Sequence, residues 1–278
     1  LLRLAGTPLT ATLTGLVLTA LVQSSTAVSV FTIGFVHSRL MTLPQAIGII
    51  LGANVGTCLT VQLMSLDFGR AALPAATVGG LLWIAGRRGP VSRLGQALAG
   101  FGLVLLGLDA LATAFAPWAH EPWFSNLLSG LHDNRLGAAA AGALFTGILH
   151  SSATSTGLAI ALAREGLIDL PTAVAFILGN NVGTCFTAIL ASLGSSAAGK
   201  RVAVAHLLIN LAGAAAVLPL AFQFAALVRL VSPDLPGQVA LAHTLFNVIS
   251  SLAFLPFVHP FAGFLTRLVP GNGYRRGR

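Results

Sequence analysis

Two polar runs, each in two parts, interrupt an otherwise oily chain. The first is Gln23-Ser24-Ser25-Thr26, followed by Gly52-Ala53-Asn54-Val55-Gly56-Thr57. The second is His150-Ser151-Ser152-Ala153-Thr154-Ser155, followed by Gly179-Asn180-Asn181-Val182-Gly183-Thr184. Hydroxyls placed where a helix begins lie beside free N–H groups and partial positive charge, which suits an anion. Asn54, Thr57, Asn181 and Thr184 supply neutral oxygens, and glycines that relax the helix would release backbone carbonyls beside them. That donor set suits a hard monovalent cation such as Na⁺. Neither stretch holds a carboxylate, so a neighbouring anion would supply the negative charge. Serine and histidine inside a membrane also fit a hydrolase, but that chemistry needs one serine with one oriented histidine, not two matched sets. Small hydroxyl residues are common at helix contacts in lipid. Duplication of the whole set in register argues against packing alone.

The elements that must position these residues are membrane helices. The 278 residues are 55% hydrophobic and 8% charged, with mean hydropathy +0.88. Soluble domains carry about 25% charged residues, so the composition predicts an all-α integral membrane protein in contact with lipid. The net charge of +8 comes from arginines scattered in short connections between apolar runs, which excludes a nucleic-acid partner. Apolar stretches cover 8–36, 43–66, 71–85, 94–116, 136–163, 170–193, 202–228 and 239–268. The connection 117–135 is the midpoint, with Trp118 and Trp123 suited to the membrane interface. Cys58 and Cys185 sit at matched apolar positions and read as packing residues, not as a disulfide.

The chain repeats itself. A shift of 127 positions lays 19–66 on 146–193 without a gap, with 20 identities in 48 pairs, rare polar residues included. The first apolar stretch is too long for one span of about 20 residues, and Gln23 to Ser25 break it. It is either one long crossing helix or a re-entrant hairpin. If both such stretches are hairpins, Arg3, Arg39, Arg87, Arg88, Arg93, Lys200, Arg201, Arg267, Arg275, Arg276 and Arg278 share one side. Arg70, Arg135, Arg164 and Arg229 share the other. This eleven-to-four split is cleaner than the nine-to-six split of the alternative, and it marks the larger group as cytoplasmic. Three crossings then separate the hairpins, so the repeats face opposite ways. The expected architecture is an inverted repeat with two re-entrant helical hairpins and broken transmembrane helices. Its halves would be 1–116 and 136–278, joined by 117–135, with hairpin tips meeting near the midplane. Asp109 is the one carboxylate deep in an apolar stretch, a functional candidate or a local cap. His206 with Asn210, and His243 with Asn247, have the i,i+4 spacing of one helix face and read as helix-to-helix hydrogen bonding.

At these residues the sequence resembles the Na⁺/phosphate cotransporter family, whose hallmark is a doubled Gln-Ser-Ser-Ser-type motif, each copy followed by a Gly-x-Asn-x-Gly-Thr-type stretch. Ala205 to Asn210 and Ala242 to Asn247 are further matches. His150 replaces the usual Gln, and Thr26 and Ala153 replace the third Ser. The resemblance implies a transporter in the cell inner (plasma) membrane, not an enzyme, with no cofactor beyond Na⁺ as coupling ion. Its mechanism would be Na⁺-coupled phosphate symport by alternating access. Carried over residue by residue, phosphate would meet Gln23, Ser24, Ser25, Thr26, His150, Ser151, Ser152, Thr154 and Ser155, and Na⁺ would meet Asn54, Thr57, Asn181 and Thr184. A passive anion channel, a phosphate exporter and a membrane hydrolase remain open at this point, as does pairing into a homodimer. The resemblance also implies a helix before the first hairpin; repeat one has no counterpart for 98–116, so N-terminal truncation is expected.

Overall fold

A computed structural model describes residues 5–66, 69–86, 88–115, 117 and 121–271. Arg3, Arg87, Trp118, Arg275, Arg276 and Arg278 lie outside the described residues. The described chain is α-helical with short 3-10 turns. Five helical segments are long and apolar enough to cross a membrane, among them Leu43–Ser65, Leu170–Ser192, Ala197–Arg229 and Leu235–Leu268. Outward leucines and valines recur one turn apart, as Leu9, Leu13, Val17 and Leu21 do on the first helix. A stripe of that kind suits lipid, not water.

Each polar serine run marks the boundary between two short helices. In the first half α1 (Pro8–Val22) ends at Gln23 and α2 (Ser25–His37) begins after Ser24. They pack on α3 (Leu43–Gly56), which α4 (Cys58–Ser65) continues. In the second half α8 (Arg135–Leu149) and α9 (Ser152–Arg164) meet at His150 and Ser151 and pack on α10 (Leu170–Ser192). At 15 and 13 residues, the arms are about 22 and 20 Å long. Neither reaches across a hydrocarbon core of about 30 Å. After α4, α5 (Gly69–Ala85) and α6 (Pro90–Phe115) pack chiefly on one another, and α6 also touches α9. The expected connection 117–135 contains a helix, α7 (Pro122–Asp133), which buries Phe124 and exposes Trp123.

A second, shorter repetition follows. Helix α11 (Ala197–Val217) kinks at the 3-10 turn Leu218–Leu220 into α12 (Ala221–Arg229). Helix α13 (Leu235–Phe254) kinks at Leu255–Phe257 into α14 (Val258–Leu268). Both kinks hold a Leu-Pro pair, since proline removes a helix hydrogen bond and crowds the preceding turn. Helix α11 lies against α10, α2 and α3, and α13 lies against α4, α9, α10 and α3.

The hydrophobic cores are exchanged between halves. Val61 and Met64 of α4 join the core around Leu158 and Ala159 of α9, and Ala188 of α10 joins the core around Val28 and Ile33 of α2. The central helices are accordingly the most enclosed. The apolar windows of Leu43–Ser65 and Leu170–Ser192 are 72% and 67% buried, against 28% and 22% for Ala197–Arg229 and Leu235–Leu268.

One expectation is corrected. The Gly-Asn-rich inserts do not break the central helices in the way the sequence implied. Helix α10 runs unbroken through Gly179 to Thr184. The first insert is interrupted only at Thr57, whose backbone stays helical at φ −67° and ψ −21°. The glycines serve close approach instead. A β-carbon on Gly52 would overlap the Thr12 carbonyl oxygen, and one on Gly179 the Ala139 carbonyl oxygen. Small residues four apart let helix backbones touch. The marked breaks lie elsewhere, at the proline kinks.

Candidate functional site

The two serine turns are built alike. Gln23 and His150 both adopt left-handed backbone, at φ 58° and 55°, which ends the preceding helix. The next serine then caps the following one: Ser24 Oγ accepts from Ala27 N–H at 3.1 Å, and Ser151 Oγ from Thr154 N–H at 3.2 Å. Left-handed backbone is unfavourable for side chains of this size, and such positions cluster at functional sites. The side chains they carry are held in the same way. Thr60 Oγ1 donates to Gln23 Oε1. His150 Nδ1 pairs with Thr187 Oγ1 at 2.8 Å. Imidazole therefore stands in for the glutamine amide in the same local geometry. Ser25, Ser152 and Ser155 are buried, Ser24, Thr26 and Ser151 half-buried, and Gln23, His150 and Thr154 exposed. Ser155 Oγ has no protein partner.

The polar inserts meet on α11. Asn54 Nδ2 donates to Asn210 Oδ1 at 2.9 Å, and Asn210 Nδ2 donates to Cys185 Sγ at 3.2 Å. One buried amide thus joins α3 to α10. Thr57 Oγ1 donates to the Asn54 carbonyl at 2.8 Å and Thr184 Oγ1 to the Asn180 carbonyl at 3.0 Å. Asn181 Nδ2 donates to the Ile177 carbonyl at 2.9 Å. The inserts therefore concentrate carbonyl and side-chain oxygens within intact helices. Nearby, both ring nitrogens of His206, Nδ1 of His243 and Oδ1 of Asn247 are buried without a partner. Unpartnered buried groups of this kind call for a functional explanation. Among the described residues no three His, Cys, Asp or Glu side chains form a metal cluster. A cation here would have to rely on the neutral oxygens.

The position of Ala53 and Asn180 sets the halves apart. Asn180 Oδ1 accepts from Thr146 Oγ1 at 2.7 Å, and its Nδ2 donates to the Ser152 carbonyl at 3.1 Å and to Thr156 Oγ1 at 2.6 Å. One amide ties α10 to both arms of its hairpin. The matching residue in the first half is Ala53, and Thr19 Oγ1 and Ser29 Oγ, which match Thr146 and Thr156, are buried with no partner.

The structure brings each turn together with its own central helix, and the two inserts together on Asn210. Neither the cleft beside His150 nor the two clefts at helix ends are lined by serines of both turns. Asp109 is exposed on α6. Cys58 and Cys185 are free and buried. Sequence reasoning missed Thr60 and Thr187, although their identity at the 127-residue shift was a usable signal. It also passed over Asn180, which has no polar counterpart to draw attention to it.

A multi-pass, all-helical membrane protein with a duplicated polar turn has the build of a carrier. The chain matches the family described as Na⁺/Pi-cotransporter over residues 1–113 and 118–231. It belongs to that family. It is 32% identical over 227 residues to "Uncharacterized protein YqeW" of Bacillus subtilis (strain 168), covering 82% of this chain and 74% of that one. It is also 32% identical over 205 residues to "Putative inorganic phosphate export protein YjbB" of Escherichia coli (strain K12). That match covers 74% of this chain but 38% of YjbB. A segment of 80 residues is 41% identical to the human "Sodium-dependent phosphate transport protein 2C", covering 27% of this chain and 13% of that protein. No solved structure matches the chain.

Proposed function

We propose that the chain carries inorganic phosphate across the cell inner (plasma) membrane, coupled to Na⁺, by alternating access of two inverted halves. The observation that carries this reading is the doubled turn, in which a left-handed residue pinned to a threonine precedes a serine-capped helix. Each turn offers an anion the hydroxyls of a serine pair and the first-turn amides of a helix. Gln23, Ser24, Ser25 and Thr26 line one; His150, Ser151, Ser152, Thr154 and Ser155 line the other. Na⁺ would use Asn54, Thr57, Asn181 and Thr184, where oxygens converge on intact helices. Family membership and the names of the sodium-dependent relatives support the choice of ions. Short arms support a re-entrant path for each hairpin, and the exchanged cores support an inverted arrangement.

Export is the second reading, because the relative YjbB carries that name. A gradient assay separates the two. Proteoliposomes loaded without phosphate should take up labelled phosphate faster with Na⁺ outside than with K⁺. Uptake independent of Na⁺ would defeat the coupled reading, and a proton gradient acting through His150 would then be tested.

A further inference from the structure

All four left-handed residues in the described chain fall into two pairs 127 positions apart: Gln23 with His150, and Arg39 with Gly166. The first pair belongs to the serine turns. The second closes α2 and α9 with the same helix ending. Arg39 N–H donates to the Val36 carbonyl at 3.1 Å and Leu40 N–H to the Phe35 carbonyl at 2.8 Å; Gly166 and Leu167 repeat this on Ala163 and Leu162. Glycine suits such a position and arginine does not. The unfavourable residue places a cation at the end of α2.

That cation lines a cleft of about 630 Å³, with His37 from α2, Ser196 and Lys200 from the start of α11, and Val269 beyond α14. Among the described residues no acidic side chain lines it. His37 Nδ1 accepts from Ser196 N–H at 2.9 Å, which leaves Nε2 as the hydrogen-bearing nitrogen. Arg201 is occupied, its Nε donating to the Val269 carbonyl at 2.9 Å. The equivalent cleft of the other repeat unit, about 620 Å³, lies between the end of α9 and the start of α13. There Asp234 caps α13 and shares the cleft with Arg164, so the charges offset. In the first cleft a neutral serine caps the helix and both cations remain without an acidic counterpart. It opens beside the start of the apolar segment Ala197–Arg229.

We propose that the Arg39–Lys200 cleft binds a phosphate group, at a site separate from the serine turns. A guanidinium fork, an ammonium and a helix start together match a tetrahedral oxyanion. The group could belong to an anionic phospholipid or to free inorganic phosphate, and basic pockets between helices take lipid headgroups in this way. The proposal stands independently of the reading of the turns.

The test uses the purified chain in phosphatidylcholine nanodiscs, with thermal unfolding as readout. One arm adds phosphatidylglycerol. The other adds inorganic phosphate at constant ionic strength, on a Ser24→Ala/Ser151→Ala background that removes any response from the turns. Arg39→Gly relaxes the backbone, so its unfolding temperature without ligand should equal or exceed that of the parent. Arg39→Gly/Lys200→Gln should weaken the stabilising response by roughly tenfold in half-saturating concentration, the scale of a lost charge-assisted hydrogen bond. Loss in the lipid arm assigns a headgroup; loss in the other arm assigns free phosphate. Equal responses from parent and double variant in both arms would overturn the proposal.

Discussion

Single side chains here divide into those that hold the structure and those proposed to face the solute. Asn180 belongs to the first kind. Its amide makes three buried hydrogen bonds to α8 and α9. Asn180→Ala removes these three bonds, and side-chain hydrogen bonds in membrane helices average about 0.6 kcal/mol each. A loss of about 2 kcal/mol in stability is expected, read as a lowered unfolding temperature in detergent. Asn181 makes one bond within its own helix, so Asn181→Ala should cost clearly less stability while reducing the Na⁺ dependence of transport. Reversal of that order would show the two roles wrongly divided. Thr60 and Thr187 stand between these kinds, because each pins the residue that opens a turn. Thr60→Val and Thr187→Val should each slow phosphate uptake by about fivefold, the scale of one hydrogen bond near 1 kcal/mol. Uptake at the parent rate in both variants would remove the turns from the site.

Among the elements, the glycine contacts are the least forgiving. Gly179 sits where any β-carbon would strike the Ala139 carbonyl oxygen. Gly179→Leu should therefore part α10 from α8, costing more than about 3 kcal/mol and leaving aggregated protein on size exclusion. A β-carbon added at Gly107 on α6 would meet nothing within 4 Å, so Gly107→Ala should leave stability unchanged or raise it by about 0.5–1 kcal/mol. This contrast explains what the sequence makes legible at this scale. The turns at Gln23 and His150 can be read, because a polar residue followed by a capping serine interrupts an apolar run. The inserts read as breaks and are not. Glycine has two uses, loosening a helix and letting another approach it, and only the neighbouring helix decides between them. The kinks at Pro219 and Pro256 escape the reading of long apolar stretches, although a proline within such a run is a direct signal. Helix α7 is hidden because its stretch is short and holds charged and polar residues that resemble a connection.

For the whole molecule, the arrangement of the halves predicts sidedness. Lys200 begins α11 and Ser232 follows α12, at opposite ends of one 33-residue apolar segment. Cysteines introduced at these positions on a background without Cys58 and Cys185 should react with an impermeant maleimide from opposite faces, Lys200→Cys from the cytoplasm. Labelling of both from one face would refute the spanning path of α11–α12 and the topology built on it.

The difference between Ala53 and Asn180 reaches further than the residues it involves. Two halves of identical internal strength, exchanging roles, would give the inward-open and outward-open forms equal free energy, so an empty carrier would rest equally in both. The three bonds of Asn180 have no equivalent around Ala53, and that degeneracy is lifted. Side-chain hydrogen bonds in membrane helices average about 0.6 kcal/mol, so three amount to roughly 2 kcal/mol, or a population ratio near thirty to one if one form alone strains them. The first hairpin becomes the softer partner, its amide protons exchanging with solvent before those of the second. Under the proposed alternating access, the unloaded protein would wait on one side of the membrane, and a single asparagine would set which side that is.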